Sequence, residues 1–211
     1  MRKDYTDVTV VLDRSGSMES IRKDMEGGFA AFVAKQQGLL GTCLVTMVQF
    51  DSTATEIRYT GVPIAKVGPL ELVPRGSTPL LDATAFAIRS TGERLAALPE
   101  AERPGNVLVL IVTDGHENAS RETSAAALRK MIEHQRSDYH WDFVYLGANV
   151  DAFAEARQMG IPRTHSVDYD ANTEGVDASW VVLGGKFGVY HGGDKKALEF
   201  TPYERDRMKR A

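Results

Sequence analysis

Short apolar runs alternate along the chain with longer segments whose apolar residues recur at helical spacing. Residues 8–12 and 106–112 are nearly continuous apolar runs rich in β-branched side chains. This pattern is typical of strands buried on both faces of a parallel sheet. Asp13 directly follows the first run, and Asp114 stands two residues beyond the second. The pattern therefore predicts two acidic side chains at the carboxyl ends of buried strands.

Helical spacing of apolar residues predicts helices in the segments between these strands. They cover residues 19–36, 80–98, 125–135, 151–159 and 176–190. The last of these contains Gly184, Gly185 and Gly188, each of which costs about 1 kcal/mol relative to alanine inside a helix. Its apolar positions nevertheless keep the helical period, so we predict a helix there.

Residues 43–50 and 53–61 are two β-rich runs with only Asp51 and Ser52 between them. This short gap predicts a hairpin and hence one antiparallel strand at a sheet edge. Residues 141–146 and a short segment at Val167 predict further strands. Alternating strands and helices predict an α/β fold: an open, mostly parallel, doubly wound sheet with one antiparallel edge strand and helices on both faces.

A chain of 211 residues, 43% of them apolar and 26% charged, predicts one domain with a sizeable core. We expect a core over residues 6–170 and a C-terminal helical extension over residues 173–211. The formal net charge is −4, and the basic residues are dispersed except in the tail from Arg205 to Arg210. A nucleic-acid-binding surface is therefore not expected, and that tail predicts a solvated helix face or a frayed end.

The only cysteine is Cys43, which lies in an apolar run and is predicted to be a buried, inert thiol. No apolar segment follows the charged N-terminus, and no stretch approaches the length of a membrane span. These features predict a cytoplasmic protein that does not enter a membrane.

The first strand end is followed by alternating hydroxyl side chains, because Ser15 and Ser17 come directly after Asp13. In an open parallel sheet, ligands bind at the carboxyl ends of strands. A turn of this composition can direct three oxygen atoms inward, and Gly16 permits the sharp backbone path. If the strands ending at Asp13 and Asp114 are neighbours, their carboxylates meet in one crevice.

A further hydroxyl is expected from Thr78 in the turn before the second helix. Two carboxylates and three hydroxyls form a hard oxygen donor set, which suits Mg²⁺, with Mn²⁺ or Ca²⁺ as alternatives. Zinc is not expected, because the sequence has no cysteine pair and no His-x-His spacing.

These motifs, in this order, resemble those of the von Willebrand factor A domain, in its stand-alone bacterial or phage form. The matching residues are Asp13-x-Ser15-x-Ser17, Thr78 in Gly-Ser-Thr-Pro-Leu and Asp114 in Thr-Asp-Gly. In that family the three segments form the metal ion-dependent adhesion site (MIDAS). The resemblance extends over residues 8–167 and implies a Rossmann-like fold.

The resemblance also implies a role for each residue of this site. Ser15, Ser17 and Thr78 would contact the metal directly, whereas Asp13 and Asp114 would act largely through bound water. An ion held in this way is incompletely neutralised, so the Asp or Glu carboxylate of a partner protein would complete its coordination. In the family, capture of a ligand can be coupled to a change in metal coordination.

Each residue also has an ordinary structural role that it can fill. The loop at Asp13 can be an Asx turn and helix cap, and Thr78 can cap the second helix before Pro79. Asp82 can form a hydrogen bond with Thr78 or interact favourably with the helix N-terminus. His116 and Asn118, on the predicted rim, can contact a partner or belong to a solvated loop.

Three functional hypotheses remain open at this level. The first is a non-enzymatic, cation-dependent protein-binding module. The second is a Mg²⁺-dependent hydrolase or phosphatase, although Ser15 stands where a haloacid dehalogenase-type phosphatase has its second aspartate, and His116 is the one evident base. The third is a scaffold with a vestigial or self-occupied site. The partner and the oligomeric state are not determined by the sequence.

Overall fold

The computed structural model describes residues 1–149 and 151–209. Its six strands form one sheet. They are β1 (Arg2–Asp13), β2 (Thr42–Phe50), β3 (Thr55–Pro63), β4 (Pro104–Thr113), β5 (Asp142–Ala148) and β6 (Ser166–Tyr169).

The strand order is β3-β2-β1-β4-β5-β6, and every neighbouring pair is parallel except β2 and β3. This confirms the predicted α/β sheet with one antiparallel edge strand. The strands β1 and β4 lie side by side in its centre, with Val10 opposite Leu110. The chain crosses from one half of the sheet to the other between them, which makes their carboxyl ends a topological switch point.

In the described part of the chain, six α-helices cover the two faces of the sheet. They are α1 (Arg22–Gln36), α2 (Leu80–Ala96), α3 (Ala125–Asp138), α4 (Ala152–Gln158), α5 (Thr173–His191) and α6 (Pro202–Lys209). One apolar core lies under α1, α5 and α6, and a second lies under α2, α3 and α4. Successive residues of a strand face opposite sides, so Val10 and Leu12 belong to the first core and Val11 to the second.

The boundaries of several elements differ from those predicted from the sequence. The strand β1 begins at Arg2, because its first residues pair with β4 although their side chains are exposed. A 3₁₀ turn over Gly16–Ile21 precedes α1, which begins at Arg22. The strand β3 begins at Thr55, since residues 51–54 form the turn.

The helix α5 is intact in spite of its glycines, and it packs along α1. The Trp180 and Phe29 rings pack edge to face, with 5.6 Å between their centroids, and the Phe187 and Phe32 ring centroids lie 5.5 Å apart. A Cβ atom at Gly28 would overlap the Trp180 indole, so the close approach of the two helices requires this glycine. Burial of large aromatic surfaces outweighs the weak helix propensity.

The basic C-terminal segment forms α6 and is attached to the domain. Met208 is fully buried, and Arg205 donates a hydrogen bond of 2.6 Å to the carbonyl oxygen of Arg163. Lys209 forms ion pairs with Asp168 and Asp170. The tail is therefore a packed helix rather than a frayed end through Lys209, and Arg210 lies outside the described residues.

Cys43 is buried, and burial raises the pKa of its thiol to about 12, as expected for an inert side chain. Among the residues described, no helix has the length and apolar character that crossing a membrane requires.

Candidate metal-binding site

The loop after β1 brings two serine hydroxyls together. Its turn is closed by the backbone N–H of Ser15, which donates a hydrogen bond of 2.6 Å to Oδ1 of Asp13. This is the Asx turn predicted as an ordinary role of the motif. The Oγ atoms of Ser15 and Ser17 then lie 3.1 Å apart at the start of the 3₁₀ turn.

The carboxyl end of β4 contributes Asp114 to the same crevice. The hydroxyl of Ser17 donates to Oδ1 of Asp114 at 2.6 Å, and the hydroxyl of Thr113 donates to Oδ2 of Asp13 at 2.6 Å. The structure thus brings the two aspartates together, because the strands that carry them are neighbours. Thr113 was not among the residues predicted for the site, although it precedes Asp114 in the Thr-Asp-Gly motif.

Thr78 reaches the crevice from the long connection before α2. Its backbone is paired with Asn118: the N–H of Thr78 donates to Oδ1 of Asn118 at 2.9 Å, and the N–H of Asn118 donates to the carbonyl of Thr78 at 3.2 Å. A Cβ atom built on Gly115 would lie 3.1 Å from Oγ1 of Thr78, 3.3 Å from Oγ of Ser17 and 3.9 Å from Oδ2 of Asp13. Oxygen atoms of all three segments therefore converge around one point.

The two carboxylates are buried with a net negative charge. Burial raises the pKa of Asp13 to about 6, against the lowering effect of the hydrogen bonds from Thr113 and Ser15. Burial also raises the pKa of Asp114. The adjacent Arg14 does not neutralise them, because its guanidinium pairs with Asp51 and Glu56. A bound cation would stabilise both ionised carboxylates.

One carboxylate oxygen of this site has no hydrogen-bond partner among the described residues. It is Oδ2 of Asp114, a buried atom on a residue that is only 2% exposed. A buried, unsatisfied acceptor is costly unless a donor or a cation meets it. Hydroxyl and carboxylate oxygens are the donors that hard divalent cations prefer. The residues present thus fit a divalent cation.

The described part of the chain contains no group of three His, Cys, Asp or Glu side chains able to hold a metal ion. The candidate site has only two carboxylates, so it depends on the hydroxyls of Ser15, Ser17 and Thr78 for the remaining protein ligands. This donor set contains no nitrogen or sulfur atom.

Asp82 forms no hydrogen bond with Thr78. Its carboxylate accepts hydrogen bonds from the backbone N–H groups of Arg121, Glu122 and Thr123, at 2.7 to 3.3 Å. Of the two roles expected for Asp82, the hydrogen bond to Thr78 is not formed, because the loop after β4 folds over the start of α2 and supplies three donors. Thr78 does not cap α2 either, since that helix begins at Leu80, after Pro79.

Gly16 lies in the crevice wall, where its N–H donates to the carbonyl of Gly76 at 3.1 Å. His116 is exposed on the rim and forms a hydrogen bond of 2.7 Å with Glu155, which also accepts one from the Tyr145 hydroxyl. The side chain of Asn118 faces the backbone of Thr78, as described above, so it supports the site from within.

Two further acidic residues near the site serve local structure. Glu117 accepts hydrogen bonds from the backbone N–H groups of Leu81 and Ala119. Asp151 caps α4 by accepting the N–H of Ala154 at 3.0 Å.

No family model matches this sequence, and no curated protein does. Solved structures do match it in fold. The mussel byssus protein PTMP1, in a structure with a zinc-occupied MIDAS motif, has a TM-score of 0.59 at 14% identity, over 89% of this chain and 46% of that one. A von Willebrand factor type A protein from Catenulispora acidiphila has a TM-score of 0.56 at 17% identity, over 86% and 42%.

The von Willebrand factor domain of the type V pilus tip protein Mfa5 from Porphyromonas gingivalis matches with a TM-score of 0.60 at 10% identity. That match covers 88% of this chain and 95% of the other. This chain spans less than half the length of the PTMP1 and Catenulispora chains. The molecule is thus an α/β protein with an oxygen-lined crevice at the switch point of its sheet. Its fold is that of a von Willebrand factor A domain.

Proposed function

We propose that the chain binds a divalent cation, Mg²⁺ in the first place, and uses it to capture a carboxylate from a partner protein. Oδ2 of Asp114 carries this proposal, because it is a buried acceptor without a hydrogen-bond partner among the described residues. The chain builds a polar crevice around it and leaves this one position open to a cation. The zinc-occupied MIDAS motif of the mussel protein supports a divalent ion at such a site.

Ser15, Ser17 and Thr78 would hold the ion through their hydroxyls, and Asp13 and Asp114 would balance its charge. When bound, the ion supplies a Lewis-acidic position that accepts an anionic oxygen. The hydroxyls are neutral ligands, so they do not compete with an incoming carboxylate for the ion's charge. Ser17 and the neighbouring Gly16 are exposed, which leaves the crevice accessible to a side chain from another protein.

The choice of Mg²⁺ rests on the donor set. Hard oxygen ligands favour Mg²⁺, Mn²⁺ or Ca²⁺, whereas zinc sites in proteins are built mainly from histidine and cysteine. The mussel protein shows that zinc can occupy a MIDAS motif, so zinc has to be compared directly. A cytoplasmic location, which we predict from the cysteine usage, would favour Mg²⁺ through its availability.

Calorimetric titration of the chain with Mg²⁺, Mn²⁺, Ca²⁺ and Zn²⁺ tests the metal site. We expect binding heat that is lost in a Ser15→Ala, Ser17→Ala double variant. A Ser20→Ala variant is the matched control, because this exposed hydroxyl lies in the same turn and, among the described residues, donates to the Ser17 carbonyl rather than to a carboxylate. Equal heat from all three proteins would refute the site.

Partner capture is tested separately. A partner recovered with Mg²⁺ should be released by EDTA and should not bind Asp13→Ala, while circular dichroism shows that the fold is retained. Titration with acetate in the presence of Mn²⁺ tests the carboxylate preference without the partner. Turnover of phosphate esters that is lost in Asp13→Ala would contradict a non-enzymatic role.

A further inference from the structure

Asp51 lies at the end of β2, outside the set of candidate metal ligands, and its side chain is fully buried. Its Oδ1 accepts the backbone N–H groups of Thr53 and Ala54, at 2.6 and 3.1 Å. Its Oδ2 accepts the Nε–H groups of Arg14 and Arg75, at 2.6 and 2.9 Å. One carboxylate therefore joins the β2–β3 turn to two other loops.

Both of those loops carry candidate metal ligands. Arg14 stands between Asp13 and Ser15, and Arg75 comes three residues before Thr78. The backbone N–H of Arg75 also donates to the carbonyl of Arg14 at 2.9 Å. Asp51 thus lies behind the junction at which the serine loop meets the threonine segment.

Further hydrogen bonds connect the two loops between this junction and the candidate metal ligands. The N–H of Gly16 donates to the carbonyl of Gly76, and the N–H of Ser77 donates to the Ser52 hydroxyl at 2.9 Å. Gly76 has φ +67°, a backbone conformation that residues with a side chain rarely adopt. A Cβ atom at this position would also overlap the Ser52 hydroxyl. The backbone just before Thr78 is therefore held on two sides.

Residues 67–79 contain no helix or strand. The buried side chains of Leu70 and Leu72 hold the first part of this segment, whereas the part just before Thr78 is held by the contacts of Arg75, Gly76 and Ser77. A segment without regular structure takes its position from the side-chain and backbone contacts that it makes. Arg14 is buried and also donates to Glu56 at 2.8 Å, so its geometry is fixed by two carboxylates. Buried ion pairs contribute little net stability, and their best-attested use is to select one arrangement of the groups that they join.

We propose that Asp51 is a positioning residue of the metal site: through Arg14 and Arg75 it sets the place of the Thr78 hydroxyl relative to Ser15 and Ser17. This inference rests on the proposed metal-binding function. Asp51 forms no hydrogen bond with a candidate ligand side chain, so it would act on the metal through the position of Thr78.

The first test compares two buried aspartates. Asp51→Asn removes the charge that holds both arginines, and we expect Mn²⁺ affinity to fall by about 10- to 100-fold, as for other residues that orient metal ligands. Asp7→Asn is the matched control. Asp7 is also fully buried, accepts two hydrogen bonds from Arg94, and lies about 20 Å from Asp13 along β1. Both variants disturb a buried ion pair, but only Asp51→Asn should weaken Mn²⁺ binding.

The second test asks whether the effect passes through Thr78. Arg75→Ala is suited to this, because Arg75 is half-exposed and its truncation is expected to leave the core intact. We expect Arg75→Ala to lower Mn²⁺ affinity in the wild-type background and to have no further effect in a Thr78→Ala background. Affinity is measured from the loss of free Mn²⁺ signal in electron paramagnetic resonance, after circular dichroism has verified each fold.

The outcomes separate this inference from the function on which it rests. If the wild-type chain binds no Mn²⁺, the metal site itself is refuted. If it binds Mn²⁺ but Asp51→Asn weakens binding no more than Asp7→Asn, Asp51 is not a positioning residue. Equal effects of Arg75→Ala with and without the Thr78 hydroxyl would likewise overturn the inference.

Discussion

Ser17 and Asp114 lie 97 positions apart in the sequence, and the Oγ atom of Ser17 donates a hydrogen bond of 2.6 Å to Oδ1 of Asp114. This contact orients one oxygen of a buried carboxylate, while Oδ2 keeps no partner among the described residues. The same serine hydroxyl lies 3.1 Å from that of Ser15. Ser17 therefore connects the two carboxyl ends of β1 and β4 at the centre of the candidate site.

Replacement of Ser17 by alanine removes both a proposed metal ligand and the hydroxyl that donates to Oδ1 of the buried Asp114. We expect no measurable Mg²⁺ binding in calorimetry, and a loss of about 1–3 kcal/mol in the free energy of unfolding when metal is absent. Chemical denaturation in EDTA measures the second effect. Ser20→Ala should leave both quantities unchanged, and an equal loss in that variant would contradict a specific role for Ser17.

The affinity for Mg²⁺ should depend on pH because the cation binds an ionised Asp13. Burial raises the pKa of Asp13 to about 6 in the chain without metal, so a proton has to leave before the ion can bind. Affinity should rise with pH through this value and level off above it, with binding about tenfold weaker at pH 5 than at pH 7. Calorimetry at a series of pH values measures this. A carboxylate with an ordinary pKa would show the same affinity at both.

Gly115→Ala should block the crevice without unfolding the protein. The added methyl group would lie 3.1 Å from the Thr78 hydroxyl and 3.3 Å from that of Ser17, among the proposed ligands. We expect Mn²⁺ affinity to fall about tenfold or more, since a displaced ligand weakens a site with strict geometry. Gly68→Ala is the control, because a Cβ atom there has no heavy atom of another segment within 4 Å. Unchanged affinity in Gly115→Ala would place the cation elsewhere.

Substitutions of two adjacent glycines in α1 test the packing of α5 on that helix. Gly28→Ala would drive a methyl group into the Trp180 indole and should destabilise the fold by about 1–3 kcal/mol. Gly27→Ala, one position earlier, meets nothing within 4 Å and should stabilise it by about 1 kcal/mol through helix propensity. Thermal unfolding of both variants measures the difference. Opposite signs are expected, and equal effects would mean that α5 does not pack closely on α1 in solution.

Much of the architecture could be predicted because its signals are local. The apolar runs before Asp13 and Asp114 correspond to the two central strands, since a strand buried on both faces needs nearly continuous apolar residues. The Asx turn after Asp13 also follows from neighbouring residues alone. Where the prediction differed, as in the early start of β1, backbone pairing with a distant strand extended an element beyond its apolar core.

The hydrogen-bond partners of Asp82 and Asp51 could not be predicted in the same way. Both side chains accept several hydrogen bonds, and for Asp82 all the donors lie about 40 positions away in the sequence. Asp51 receives its two arginines from 37 and 24 positions away. The sequence predicts Asp82 to be a helix residue and Asp51 to be part of a hairpin turn, because local spacing indicates only these roles.

The sequence by itself determined which elements form and which five side chains are candidates for the metal site, because periodicity and short motifs act over a few residues. The tertiary structure decided that β1 and β4 are neighbours, that Thr113 supports Asp13, and that Asp51 joins the loops behind the site. It also left Oδ2 of Asp114 buried without a partner in the described chain. These features arise from contacts between distant segments, which only the assembled sheet brings within hydrogen-bonding distance.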